Sequence, residues 1–108
     1  LTKPKIKPKY KSPAIKLGFN YGATMQQRMY SIKDSKSGIY NLPFIKHSHG
    51  EAERDFMSMA NDDKSVVNKY PTDFDLYYLG DYDSDSGKIE ALETPQHIIK
   101  ADQLLKKD

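Results

Sequence analysis

Phe74-Asp75-Leu76-Tyr77-Tyr78-Leu79-Gly80-Asp81-Tyr82, followed by Asp83-Ser84-Asp85-Ser86-Gly87, decides the reading of this chain. Nine residues rich in aromatic and aliphatic side chains and closed by a polar, glycine-ended turn spell a strand entering a hairpin. Strict alternation places Phe74, Leu76, Tyr78 and Tyr82 on one face, and Tyr77 and Leu79 on the other with Asp75 and Asp81. Residues 88–92 are the returning strand. Pro95 is expected to break the chain, residues 96–100 to form another short strand, and residues 101–107 a short C-terminal helix.

Upstream, Met29-Tyr30-Ser31-Ile32-Lys33-Asp34 alternates with Tyr30 and Ile32 on one face, and Ser35-Lys36-Ser37-Gly38 turns the chain. Residues 39–45 form an irregular second strand interrupted by Pro43, which lacks a ladder donor and belongs at an edge. Ser48 with Glu51 three residues later is a capping box. Ala52, Phe56, Met59 and Ala60 then make one apolar helical stripe. Residues 62–73 read as a loop anchored by Val66, Val67 and Tyr70. These elements describe an α+β fold: a small antiparallel sheet of three to four strands with one main helix packed on it.

The formal charge of +2 over 108 residues conceals two unlike parts. Residues 1–28 carry Lys3, Lys5, Lys7, Lys9, Lys11, Lys16 and Arg28 and no carboxylate, a charge of +7, so the remainder stands at −5. Pro4, Pro8 and Pro13 oppose helix in the lysine-rich segment, and its mutually repelling charges leave little to bury. Residues 1–28 are therefore expected to be a disordered or extended basic arm, and residues 29–108 a single small α+β domain. Lysines contact phosphates, and Tyr10, Phe19 and Tyr21 are placed to stack on unpaired bases, so the arm reads either as a nucleic-acid tether or as a solvated tail. The chain opens on Leu1 and its first methionines are Met25 and Met29. Residues 1–24 thus read either as native sequence or as an upstream extension.

The absence of cysteine excludes disulfides, thiolate metal sites and cysteine nucleophiles. No apolar run reaches the ~20 residues of a membrane span, and the basic start is not followed by the apolar run of a signal peptide. Asp81-x-Asp83-x-Asp85 suggests a calcium loop, but the sixth position is Ser86, the twelfth is Leu92, and the flanks are strands; a polar hairpin loop explains it better. His47-x-His49 lacks a third ligand, and His97 reads as a partly packed side chain. No nucleophile elbow or phosphate-binding glycine loop is present, so no catalytic residue, metal or cofactor is expected. Tyr30, Tyr40, Tyr77, Tyr78 and Tyr82 fall on expected strands, as core residues or as a stacking surface assisted by Lys33, Lys36, Lys46 and Lys88.

The run from Met29 to Tyr40, Pro43-Phe44, Lys69-Tyr70-Pro71-Thr72-Asp73-Phe74-Asp75-Leu76-Tyr77, Leu79-Gly80, the Asp-rich turn with Gly87, Thr94-Pro95 and Ile98-Ile99 together resemble the small nonstructural protein of gokushoviruses, single-stranded-DNA phages of the microvirus group. The resemblance spans about residues 29–101. It implies a non-enzymatic phage protein made in the cytoplasm of an infected bacterium. It also implies a DNA-binding role, likened by gene position to the protein that switches related phages from genome replication to single-strand packaging. In the family the strand beginning near Met29 stands at or near the start. The expected partner is single-stranded DNA, contacted by the arm residues together with Lys33 and Lys36. The alternative is a protein-interaction module docking on a phage replication or scaffold protein, a host factor or itself.

Overall fold

The computed structural model describes residues 27–107. The expected disorder of the basic arm falls almost wholly outside them. Five strand segments, β1 Arg28–Asp34, β2 Ile39–Tyr40, β3 Phe44–Lys46, β4 Phe74–Asp83 and β5 Lys88–Lys100, make one antiparallel sheet in the order β2-β1-β4-β5. β2 and β3 lie in succession along the edge of β1 opposite β4, so they are one edge strand interrupted at Pro43. Asn41 N–H donates to Ile32 O at 2.8 Å and Ser31 Oγ donates to Asn41 O at 2.6 Å, which keeps the gap joined to β1. The expected α+β sheet-and-helix architecture is the one observed.

The helix α1, His49–Ala60, starts where the capping residues place it. Ser48 Oγ accepts from Glu51 N–H, and Glu51 Oε1 accepts from His47 N–H. Ala52, Phe56 and Ala60 are buried against the sheet, but Met59, expected on the same stripe, is 37% exposed. Spacings of four residues between two alanines and one phenylalanine make a narrow contact line, and Met59 sits on its shoulder. The core is completed by Tyr30 and Ile32 of β1, Phe74 and Leu76 of β4, Val67 and Ala101.

Residues 62–73 are not the expected loop. Ser65 Oγ caps a short helix, α2 Val66–Lys69, and a 3-10 turn follows at Pro71–Asp73. Of the three anchors expected there, only Val67 is buried; Val66 and Tyr70 are more than half exposed. The C-terminal segment forms a 3-10 turn at Ala101–Leu104 instead of an α-helix. Asn61 pins it: its Nδ2 donates to Met57 O and Leu104 O, and its Oδ1 accepts from Lys106 N–H.

The two hairpins close with one repeated device. Asp34-Ser-Lys-Ser-Gly38 and Asp83-Ser-Asp-Ser-Gly87 share three hydrogen bonds and differ in one, since Ser37 Oγ donates to Asp34 O and Ser86 Oγ to Asp83 Oδ2. In each, the glycine N–H donates to the first aspartate's carbonyl at 2.7 Å, and that aspartate's Oδ1 accepts from the third residue's N–H at 2.9 Å. The second serine hydroxyl takes the N–H that follows the turn, and both glycines lie at φ 77°.

Bulges overturn three expectations about the long hairpin. β5 continues through Pro95, because residues 92–95 bow out opposite Leu79 between the pairs Tyr78↔Gln96 and Gly80↔Ala91. Proline's missing donor costs no ladder bond on an edge strand. The step between Tyr78 and Gly80 also reverses the alternation of β4. Asp81 therefore shares a face with Tyr78, whose hydroxyl donates to its Oδ1 at 2.6 Å, and Tyr82 goes to the opposite face. Gly80, at φ 149°, is where β5 crowds in, and a Cβ there would lie 2.3 Å from Glu90 O.

Candidate nucleic-acid interface

α1 covers one face of the sheet. Strand register sets the residues of the other: Ser31 and Lys33 of β1 stand opposite Tyr77 and Asp75 of β4, Tyr40 of β2 stands opposite Lys33, and His97 and Lys100 of β5 stand opposite Tyr77 and Asp75. Tyr40, Tyr77 and His97 form a row of rings. Tyr40 and Tyr77 have centroids 5.4 Å apart at 73°, and Tyr77 and His97 are 5.3 Å apart at 81°. The Lys33 ammonium lies 5.2 Å from the Tyr40 centroid and 5.9 Å from that of Tyr77, within cation–π range of both.

Asp75 is the sole carboxylate among the residues that strand pairing places on this face. It is 6% exposed, and its two oxygens are taken: His97 Nε2 is 2.8 Å from Oδ1 and Lys100 Nζ is 3.2 Å from Oδ2. Lys100 Nζ also donates to Thr72 O, which ties the end of β5 to the turn before β4. Lys33 makes no ion pair among the described residues. A fold with an acidic surplus thus turns a locally positive, aromatic surface outward.

The helix-facing side handles its aromatics differently. Tyr30 is fully buried, and its hydroxyl shares a 2.6 Å hydrogen bond with His49 Nδ1 at the start of α1. His49 packs edge-on against both Tyr30 and Tyr78. Burial raises the pKa of Tyr30 despite the nearby Arg28 side chain. Burial, followed by the hydrogen bond to Asp81, pushes Tyr78 up to about 12. These rings lock the helix to the sheet, and Tyr30 is closed to a ligand.

Lys3, Lys5, Lys7, Lys9, Lys11, Lys16, Tyr10, Phe19 and Tyr21 lie outside the described residues. The three remaining basic residues expected to bind do not converge. Arg28 sits at the start of β1 with its guanidinium 5.8 Å from the Tyr78 centroid, on the helix side. Lys33 is five residues on, on the outward side, and Lys36 is exposed in the first turn. The ring row adds Tyr40, Tyr77 and His97 as candidate contacts. Tyr40 and Tyr77 were visible as strand tyrosines, but nothing in the sequence paired them with His97.

Asp81, Asp83 and Asp85 do not converge on a cation site. Asp81 accepts from Tyr78, and both oxygens of Asp83 are used within the turn. No group of three or more metal-ligating side chains occurs among the described residues. No helix among them is long and apolar enough to cross a membrane.

Comparison with known sequences places residues 27–104 in a match to the family described as Phage ORF5 protein. Protein ORF5 of Chlamydia phage 1 is 37% identical over 71 residues, covering 60% of this chain and 72% of that protein. No solved structure matches the chain.

Proposed function

Because the chain belongs to the Phage ORF5 protein family and is a gokushovirus ORF5-like protein, we propose that it is a non-enzymatic accessory protein of a single-stranded-DNA phage. It binds the genome during replication or packaging in the cytoplasm of the infected bacterium. The observation that carries this reading is the placement of charge on the outward sheet face. The one paired carboxylate there is held by a hydrogen bond to His97 and by the Lys100 ammonium, while Lys33 is left to meet phosphate. The +7 of residues 1–28 supplies further phosphate contacts from the chain that leads into β1.

Mobility-shift titration of the whole chain with a single-stranded oligonucleotide, repeated across salt concentrations, tests it. If these seven charges and Lys33 all neutralise phosphates, the log–log slope approaches about −5.6, at ~0.7 per contact. Glutamine at the six lysines of residues 3–16 should flatten the slope. Absence of binding at low salt would sink the proposal.

A second reading rests on the β2–β3 edge, where Ile39, Leu42 and Ile45 are 63%, 89% and 38% exposed. That apolar edge suits a protein partner: a phage replication or scaffold protein, or a host factor. Retention of a phage or host protein by the wild-type chain, lost on Leu42→Ser, would favour it; a monomer that retains nothing would count against it.

A further inference from the structure

We propose that Tyr40, Tyr77 and His97 form a base-stacking subsite for about two unpaired nucleotides, with Lys33 placed to meet the phosphate between them. This rests on the DNA-binding reading above and goes beyond its electrostatics, because it assigns recognition to ring faces as well as to charge. The three rings run in a row across β2, β4 and β5, with centroids 5.4 and 5.3 Å apart. Adjacent rings are roughly perpendicular, so no ring stacks face to face on its neighbour. Tyr40 is 36% exposed, the His97 side chain 48% exposed and Tyr77 between them half-buried, whereas on the opposite face Tyr30 is fully buried and the half-buried Tyr78 is held by Asp81 and His49. Lys33 lies over two of the rings and makes no ion pair with its cross-strand neighbour Asp75, whose oxygens are taken by His97 and Lys100, which suits a ligand whose aromatic and anionic parts alternate. A duplex keeps its base faces inside its own stack, so this surface offers it only a phosphate contact. An unpaired strand offers both.

The test compares, with the whole chain and at one salt concentration, a short oligothymidylate with an equally long deoxyribose-phosphate strand that lacks bases. The wild-type chain should bind the thymidylate roughly tenfold or more tightly, and more tightly than a duplex of the same length. Tyr40→Leu and Tyr77→Leu should each erode that preference while leaving affinity for the abasic strand unchanged. Tyr40 lies on a two-residue edge strand, so Tyr40→Leu carries the test if Tyr77→Leu fails to fold. Equal affinity of the wild type for the two strands would overturn the stacking subsite and leave the electrostatic reading standing. So would a preference that survives both substitutions. Failure to bind either strand would overturn both.

Discussion

The two faces of the sheet use tyrosine in opposite ways. On the helix side, Tyr30 and Tyr78 are held by His49 and Asp81, and their hydroxyls are spent on hydrogen bonds inside the fold. On the outward side, Tyr40 and Tyr77 instead have a lysine ammonium over their rings. The same side chain therefore serves as a fastener on one face and as a surface on the other. The covering helix makes the difference: once α1 lies on a face, every polar atom beneath it must find a partner within the fold.

This contrast can be broken most forcefully from the covered side. Phe56→Ala, at a fully buried position, should cost about 3–5 kcal/mol, a large part of the roughly 5–15 kcal/mol available to a domain. Tyr77→Leu on the outward face should cost no more than about 1 kcal/mol, the scale of one cross-strand pair. Urea denaturation of both variants measures the gap, and equal losses would refute the division between faces.

The next effect in size concerns the ends of the sheet. Gly38→Ala and Gly87→Ala each place a side chain at φ 77° with open space around the new Cβ. Each should cost on the order of 1–2 kcal/mol, from backbone conformation alone. The two losses should be alike, because the turns share three hydrogen bonds. A clear inequality in thermal unfolding would show that the repeat is superficial.

Alkaline titration sharpens the comparison. The folded state holds Tyr78 neutral up to about 12, above the ordinary tyrosine value of 10.0. Its contribution to stability is complete below pH 10 and is lost as pH rises from there through 12, since only the unfolded chain releases the proton in that window. Tyr78→Phe should remove this part of the alkaline loss. Stability measured by denaturant at stepwise pH checks it, and an unchanged alkaline limb would contradict the assignment. The smallest expected effect is that of Lys33→Gln, which should leave stability unaltered and reduce the steepness of the DNA salt dependence by about 0.7.

Much of the architecture was legible because local rules and tertiary packing agree. The alternation around Tyr30 and Ile32, the Ser48–Glu51 cap and the interruption at Pro43 each follow from backbone geometry within a few residues. The readings that failed within the sheet involve edges and bulges. Pro95 looked like a strand breaker, but its missing N–H is a cost only where a neighbouring strand would accept it, and among the described residues β5 has no such neighbour on its outer edge. Asp81 and Tyr82 were assigned to the wrong faces because one bulge at Leu79 inverts every later residue of β4. Of the candidate interface, Lys33 was legible from charge, whereas His97 looked like an isolated, partly packed residue.

By itself the sequence determined the hairpin turns, the helix start, the apolar faces of β1 and the first half of β4, and the separation of +7 from −5, because each is a property of neighbouring residues. Only the tertiary structure decided what meets Tyr77. Leu76 pairs with Ile99 and Tyr77 with His97, so Ile98 is the extra residue of a bulge. Ile98 packs against the core while His97 takes its place beside the ring. An unbulged strand would have set Ile98 against Tyr77. The shift by one residue belongs to the pairing of two strands and their shared core, and no local pattern in either strand records it.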